Sequence, residues 1–153
     1  MGKRYYIAYG SNLSEEQMSV RCPDAKPAGM AVLKDWKLVF RTHATIEPHE
    51  GSEVPVLIWE ISERDEQNLD LYEGWPHYYR KENLSVRMTN FRGQKPKTIT
   101  GMVYIMNDGH AVEPPMKGYY DVLDKAYLRM GFNREQLKKA MIEAKEIMEH
   151  ELS

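Results

Sequence analysis

An α+β domain built on a largely antiparallel or mixed sheet follows from three features of this 153-residue chain. Apolar residues make up 42% and charged residues 29%, the balance of a globular protein able to bury a core without disulfides or metals. Segments with strand and helix character come in the order strand, helix, several strands, helix, two strands, two helices. No repeat, low-complexity tract or linker divides them, so residues 1–153 read as one domain.

Tyr5-Tyr6-Ile7-Ala8-Tyr9 has the aromatic and β-branched content of a strand, and Gly10-Ser11-Asn12 breaks it. A helix follows at once. Ser14 caps it, Gln17 stands three residues on as in a capping box, and Glu15 and Glu16 occupy the turn where the helix dipole favours acids. Pro23 stops it. Residues 28–42 carry two apolar runs split by Lys34-Asp35, which is either a pair of strands or one bent strand. The polar stretch 43–53, with Pro48 and Gly51, reads as a surface loop, and the apolar run from Val54 as a buried strand. Ser62 then caps a short helix with Asp65 at its third position. Leu69 and Leu71 give that helix an apolar side, and Gly74-Trp75-Pro76 ends it.

Residues 78–87 and 98–106 read as two further strands, joined by a hairpin turn that contains Gly93. Pro114-Pro115 opens the last third of the chain, where a helix over 119–130 stops at Gly131. Asn133, with Gln136 three residues on, caps a final helix over about 133–152. Its Leu137, Met141, Ala144, Met148 and Leu152 lie three or four apart and form one apolar stripe. Such a stripe serves docking onto the domain or a homodimer seam equally well.

Composition removes several classes of function. Lys and Arg number 21 against 23 Asp and Glu, so no basic excess is present for a nucleic-acid partner. No apolar run approaches the roughly 20 residues of a membrane-spanning helix, and the charged start Met1-Gly2-Lys3-Arg4 leads into a strand. A cytoplasmic protein without a membrane partner is expected. Gly2 does not mark a myristoylation site, because Tyr6 stands where that motif has Ser or Thr. Cys22 is the single cysteine, and His43, His49, His77, His110 and His150 are scattered, so neither a disulfide nor a metal is expected. The sequence contains no G-x-S-x-G elbow, and Cys22 lies between Arg21 and Pro23 without an evident histidine partner, which gives serine and cysteine nucleophiles less support than the two places that follow.

Two places can carry chemistry. The Tyr9-Gly10-Ser11-Asn12 turn, between a strand and a capped helix, can aim backbone N–H groups at a carboxylate or oxyanion; it can equally be a structural turn. Glu73 ends a short helix, where the dipole opposes a negative charge, and Tyr72, Trp75, Tyr78 and Tyr79 make its surroundings aromatic. Both effects raise a carboxyl pKa towards the range of a general base, unless the side chain is a hydrated helix end.

These two places occur in an order that resembles the γ-glutamylcyclotransferase-like (AIG2-like) family. The segment from Tyr6 to Leu13, with Tyr9-Gly10-Ser11-Asn12 inside it, is similar to the family's substrate loop, and Arg21 and Pro23 follow at a spacing seen in members. The segment LDLYEGWPHYYRKENLSV resembles the second motif, with Glu73 on its catalytic glutamate. Pro114-Pro115 and Tyr119 resemble the approach to a substrate-binding tyrosine, for which Tyr120 is the adjacent alternative.

The resemblance implies a small mixed, barrel-like domain with flanking helices. It implies an enzyme that cyclises a γ-glutamyl group to 5-oxoproline and releases an amino acid or amine, without a cofactor. Glu73 is the implied catalytic residue, and Tyr6, Ile7, Ala8, Tyr9, Gly10, Ser11, Asn12 and Tyr119 are the implied substrate-binding residues. The implied partner is a small γ-glutamyl molecule. The leaving group would meet the 43–53 stretch and Trp75-Pro76-His77. A domain that keeps the fold as a sensor or partner-binding module without turnover is the rival reading.

Overall fold

The computed structural model describes residues 4–152, with the side chain of Leu152 excepted. The charged start at Met1, Gly2 and Lys3 lies outside the described residues. Five strands form a closed barrel: β1 (Arg4–Ala8), β2 (Lys26–Arg41), β3 (His43–Ile61), β4 (Tyr79–Asn90) and β5 (Lys97–Met106). Their order around it is β1-β3-β2-β4-β5, antiparallel except where β1 meets β5 in parallel at Tyr6 and Met102. Four helices flank it: α1 (Glu15–Arg21), α2 (Glu63–Glu73), α3 (Lys117–Met130) and α4 (Arg134–Leu152). The α+β, barrel-like expectation matches this architecture.

One element expected from sequence is corrected. Residues 43–53 are the first part of β3, paired with β2 from Arg41↔His43 to Trp36↔Pro48. A polar composition marks a loop only when no strand is available to pair with, and here the apolar 36–41 segment of β2 supplies one. The turn signals Pro48 and Gly51 are absorbed by a bulge. Between the pairs Trp36↔Pro48 and Lys34↔Glu53 the register shifts, Asp35 adopts φ 64°, and its carboxylate accepts the Gly51 N–H at 3.0 Å. Residues 28–42 are accordingly one bent strand rather than two, with the bend at Lys34-Asp35.

The caps behave as their chemistry dictates. Ser14 Oγ accepts the Gln17 N–H at 3.3 Å. Ser62 and Asp65 form a complete reciprocal capping box on α2, and Asp65 is fully buried. Leu69 is buried beneath α2, but Leu71 is 83% exposed, since residues two apart on a helix point about 200° apart. Helix α3 starts at Lys117, two residues before the expected position, after an N-cap Met116 with no side-chain bond. Helix α4 spends its stripe within the chain: Leu137, Ala140 and Ala144 are buried, Met141 packs against the same core, and Lys37 of β2 pairs with Glu143. The stripe from Leu137 to Ala144 therefore docks onto the domain. Among the described residues no helix is long and apolar enough to cross a membrane.

Candidate functional site

Strand β1 delivers Tyr6 and Tyr9 to one end of the barrel and runs straight into a 3-10 turn, Ser11–Leu13. The first bond of that turn runs from the Leu13 N–H to the Gly10 carbonyl at 3.0 Å. The N–H groups of Ser11 and Asn12 precede it and have no partner within the turn. The loop is held by its side chains. Asn12 donates through Nδ2 to the Tyr6 hydroxyl (2.9 Å), its carbonyl accepts the Trp59 indole N–H (3.0 Å), and Ser11 Oγ lies 3.2 Å from the Tyr72 hydroxyl.

Opposite this loop, α2 ends at Glu73 because Gly74 takes the left-handed conformation (φ 65°) that a side chain resists. Two further tyrosines close the space. The Tyr119 hydroxyl of α3 accepts the Ala44 N–H at 3.0 Å, and the Tyr79 hydroxyl of β4 donates to the Ala44 carbonyl at 2.8 Å. A β-carbon on Gly10 would stand 3.3 Å from that Tyr119 oxygen, so glycine lets the loop and α3 approach each other. Tyr9 donates to the Tyr104 carbonyl at 2.6 Å, and Tyr104 donates to Asp70 of α2 at 2.6 Å.

The result is a cavity of about 410 Å³ lined by the loop, Glu73 and seven tyrosines. Its floor is buried, with Tyr6, Tyr9, Asn12, Tyr79 and Tyr104 all at most 6% exposed; its rim, at His43, Leu71 and Tyr72, is open. Removal from water raises Glu73 from 4.5 to about 7, against a smaller opposing pull from the Arg21 guanidinium. No group among the described residues donates a hydrogen bond to this carboxylate, so burial is not offset locally. Burial first, and then the nearby Glu73 charge, hold the Tyr6 and Tyr9 phenols well above their ordinary value.

The structure brings Tyr6, Tyr9, Gly10, Ser11, Asn12, Glu73 and Tyr119 to one cavity wall. Ile7 and Ala8, expected among the substrate-binding residues, do not line it; both are buried in the core, and Ile7 packs where Gly101 leaves room. Tyr120, the alternative to Tyr119, packs near Phe40 instead. Of the expected leaving-group walls, His43 lines the cavity, whereas Trp75, Pro76 and His77 do not. Trp75 lies under Lys81 Nζ, 4.0 Å from the ring centroid.

Tyr104 and Ala44 escaped sequence reasoning, since strand periodicity gives a face but not the helix that covers it. Arg21 was visible as a residue but not as a contact. Among the described residues no three His, Cys, Asp or Glu side chains converge to hold a metal ion. Burial pushes the Cys22 thiol up to about 12, and it lies outside the cavity.

Comparison with known proteins agrees with this arrangement. The family model described as gamma-glutamyl cyclotransferase, AIG2-like, matches residues 6–127. Gamma-glutamylcyclotransferase of Bos taurus is 31% identical over 147 residues, covering 88% of this chain and 75% of that protein. The Mus musculus protein of the same name is 30% identical over 146 residues, with the same two shares. A solved structure named gamma-glutamyl cyclotransferase superimposes with a TM-score of 0.77 at 28% identity, over 91% of this chain and 86% of that one. The matched stretch opens at the first cavity tyrosine and runs through α2 into α3, and the chain accordingly belongs to the gamma-glutamyl cyclotransferase, AIG2-like family.

Proposed function

We propose that this protein is a γ-glutamylcyclotransferase acting in the cytoplasm: it converts a γ-glutamyl amino acid or amine to 5-oxoproline and the free amine. The α-amine of the glutamyl group attacks its own γ-carbonyl carbon, the γ-amide C–N bond breaks, and no water is consumed. One proton leaves the attacking nitrogen and one arrives on the leaving nitrogen, with no change of oxidation state.

Glu73 takes the first proton as general base and, once protonated, returns it to the leaving amine, a shuttle worth roughly 10²–10⁴ in rate. A carboxyl held at about 7 is suited to both halves, being neither too weak a base nor too weak an acid near neutral pH. The amides of the Gly10-Ser11-Asn12 turn hold the substrate carboxylate or the oxyanion that develops on the γ-carbonyl. The tyrosine walls, Tyr119 among them, keep the flexible glutamyl chain bent. An attacking nitrogen kept about 3–3.5 Å from the carbonyl carbon is itself a large part of the rate.

The observation that carries this reading is Glu73 itself, withdrawn from water in the cavity that the Gly10-Ser11-Asn12 turn also lines. A binding domain relieved of catalysis has no use for a raised carboxyl in an aromatic cavity. The test is 5-oxoproline release from a panel of γ-glutamyl amino acids, γ-glutamyl amines and glutathione. The wild-type protein should turn over one class, and Glu73→Gln, which keeps the shape and removes the base, should lose at least about a hundredfold. Equal turnover by both proteins would make the assigned base wrong, and no release by either would favour the binding domain.

A further inference from the structure

The Arg21 side chain is drawn inward at the C-terminal end of α1. Its guanidinium donates to Asn12 Oδ1 at 2.5 Å, and its central carbon stands 3.5 Å from the centroid of the Tyr72 ring. The Arg21 carbonyl also accepts the Asn68 Nδ2–H of α2 at 2.9 Å. One residue therefore touches the loop on one side and, on the other, two positions of the helix that carries Glu73. A planar guanidinium can do both at once because its edge donates while its face stacks, which an ammonium cannot reproduce.

Arg21 supplies the partner that the other Asn12 contacts leave open. The Nδ2 of Asn12 is given to Tyr6 and its backbone carbonyl to Trp59, which leaves Oδ1 as the acceptor that must be satisfied from outside the loop. Tyr72 is tied to the same loop by its hydroxyl, 3.2 Å from Ser11 Oγ. Arg21, Asn12, Ser11 and Tyr72 thus form a closed ring of contacts around the approach to Glu73.

We propose that Arg21 is a positioning residue of this site: its guanidinium pins Asn12 and the Tyr72 ring together, fixing the loop against α2, and sets a positive charge beside the Glu73 carboxyl. Within the cyclisation reading, on which this inference rests, the clamp fixes the distance between the loop amides and the base. The titratable groups that line the cavity with Glu73 are Tyr6 of β1 and Tyr9 just after it, His43 of β3, Tyr72 of α2, Tyr78 and Tyr79 at the start of β4, Tyr104 of β5 and Tyr119 of α3. Burial holds the Tyr6, Tyr9, Tyr78, Tyr79, Tyr104 and Tyr119 phenols in the neutral form near pH 7, and Arg21 is the cation whose charge favours the Glu73 carboxylate. Without it, the carboxyl would stay protonated to higher pH.

Two variants test this, Arg21→Gln and Arg21→Lys, with the Glu73 carboxyl titrated directly by carbon NMR and kcat and KM measured across pH. Arg21→Gln should move the Glu73 titration and the kcat/KM inflection together to higher pH, and kcat/KM at pH 7 should fall about tenfold to a hundredfold. Arg21→Lys keeps the charge without the fork, so the titration should stay close to wild type while KM rises severalfold. An unmoved Glu73 titration in a folded Arg21→Gln protein would overturn the proposal. So would a rate loss of equal size in both variants that follows their melting temperatures alone. Absence of 5-oxoproline from the wild-type protein would overturn the cyclisation reading instead, and the NMR titration would still decide the clamp.

Discussion

Glu73 ties function to stability through a single proton. A carboxyl that titrates at about 7 in the fold, against 4.5 ordinarily, binds more protons folded than unfolded between those values. Its contribution therefore turns against folding as pH rises from 4.5, and the penalty is complete above 7. Glu73→Gln should raise stability by about 1–2 kcal/mol at pH 8, after allowing for its partial solvent contact, and by nothing at pH 4. Thermal melts at the two pH values check this; a gain independent of pH would contradict it. The same proton sets the rate, so wild-type kcat/KM should climb with pH through an inflection near 7, where the base becomes available. Tyr119→Phe removes the acceptor of the Ala44 N–H and should cost about 1–3 kcal/mol in chemical denaturation, together with a higher KM. Tyr120→Phe, which lies off the cavity, should leave turnover alone.

Helix α2 works because both of its ends are specified. The Ser62–Asp65 box starts it over a buried carboxylate, and Gly74 stops it one residue after Glu73. A β-carbon at Gly74 would have to adopt φ 65° and would stand 3.1 Å from Tyr78 Cβ. Gly74→Ala should then destabilise the protein by about 1 kcal/mol or more and lower kcat further than it raises KM, because it tilts the residue that carries the base. The 43–53 segment teaches the opposite lesson. Its polar sequence carries no strand signal of its own, and its structure comes from the seven residue pairs it makes along β2, with His43 placed at the cavity rim as a consequence. At that corner Thr42 adopts φ 69°, a conformation unfavourable for a β-branched residue, held by its N–H and hydroxyl bonds to Glu113.

Across the whole molecule, β1, β3, β4, β5, α2 and α3 each bring residues to the candidate cavity at one end of the barrel, and its floor tyrosines are continuous with the hydrophobic core. Helix α4 belongs to that core: Leu137 is fully buried, and Leu137→Ala should cost about 2–5 kcal/mol while leaving kcat/KM of the folded protein unchanged. A change in kcat/KM with stability intact would show that α4 reaches the site.

The sequence by itself was enough for what depends on neighbours a few residues apart. The Ser14 and Ser62 caps, the Gly74 stop, the apolar strands and the stripe of α4 all rest on local spacing, and so does the recognition of the Tyr9-Gly10-Ser11-Asn12 and Glu73 segments. Contacts made across long sequence separations had to wait for the chain to close. Asn12 and Tyr72 meet across Arg21, Ala44 is bonded by tyrosines 35 and 75 residues away, and Glu73 is raised because those elements shut out water. One helical step of about 100° separates Tyr119 in the cavity from Tyr120 outside it, and only the packing direction of α3 sets which of them faces Glu73.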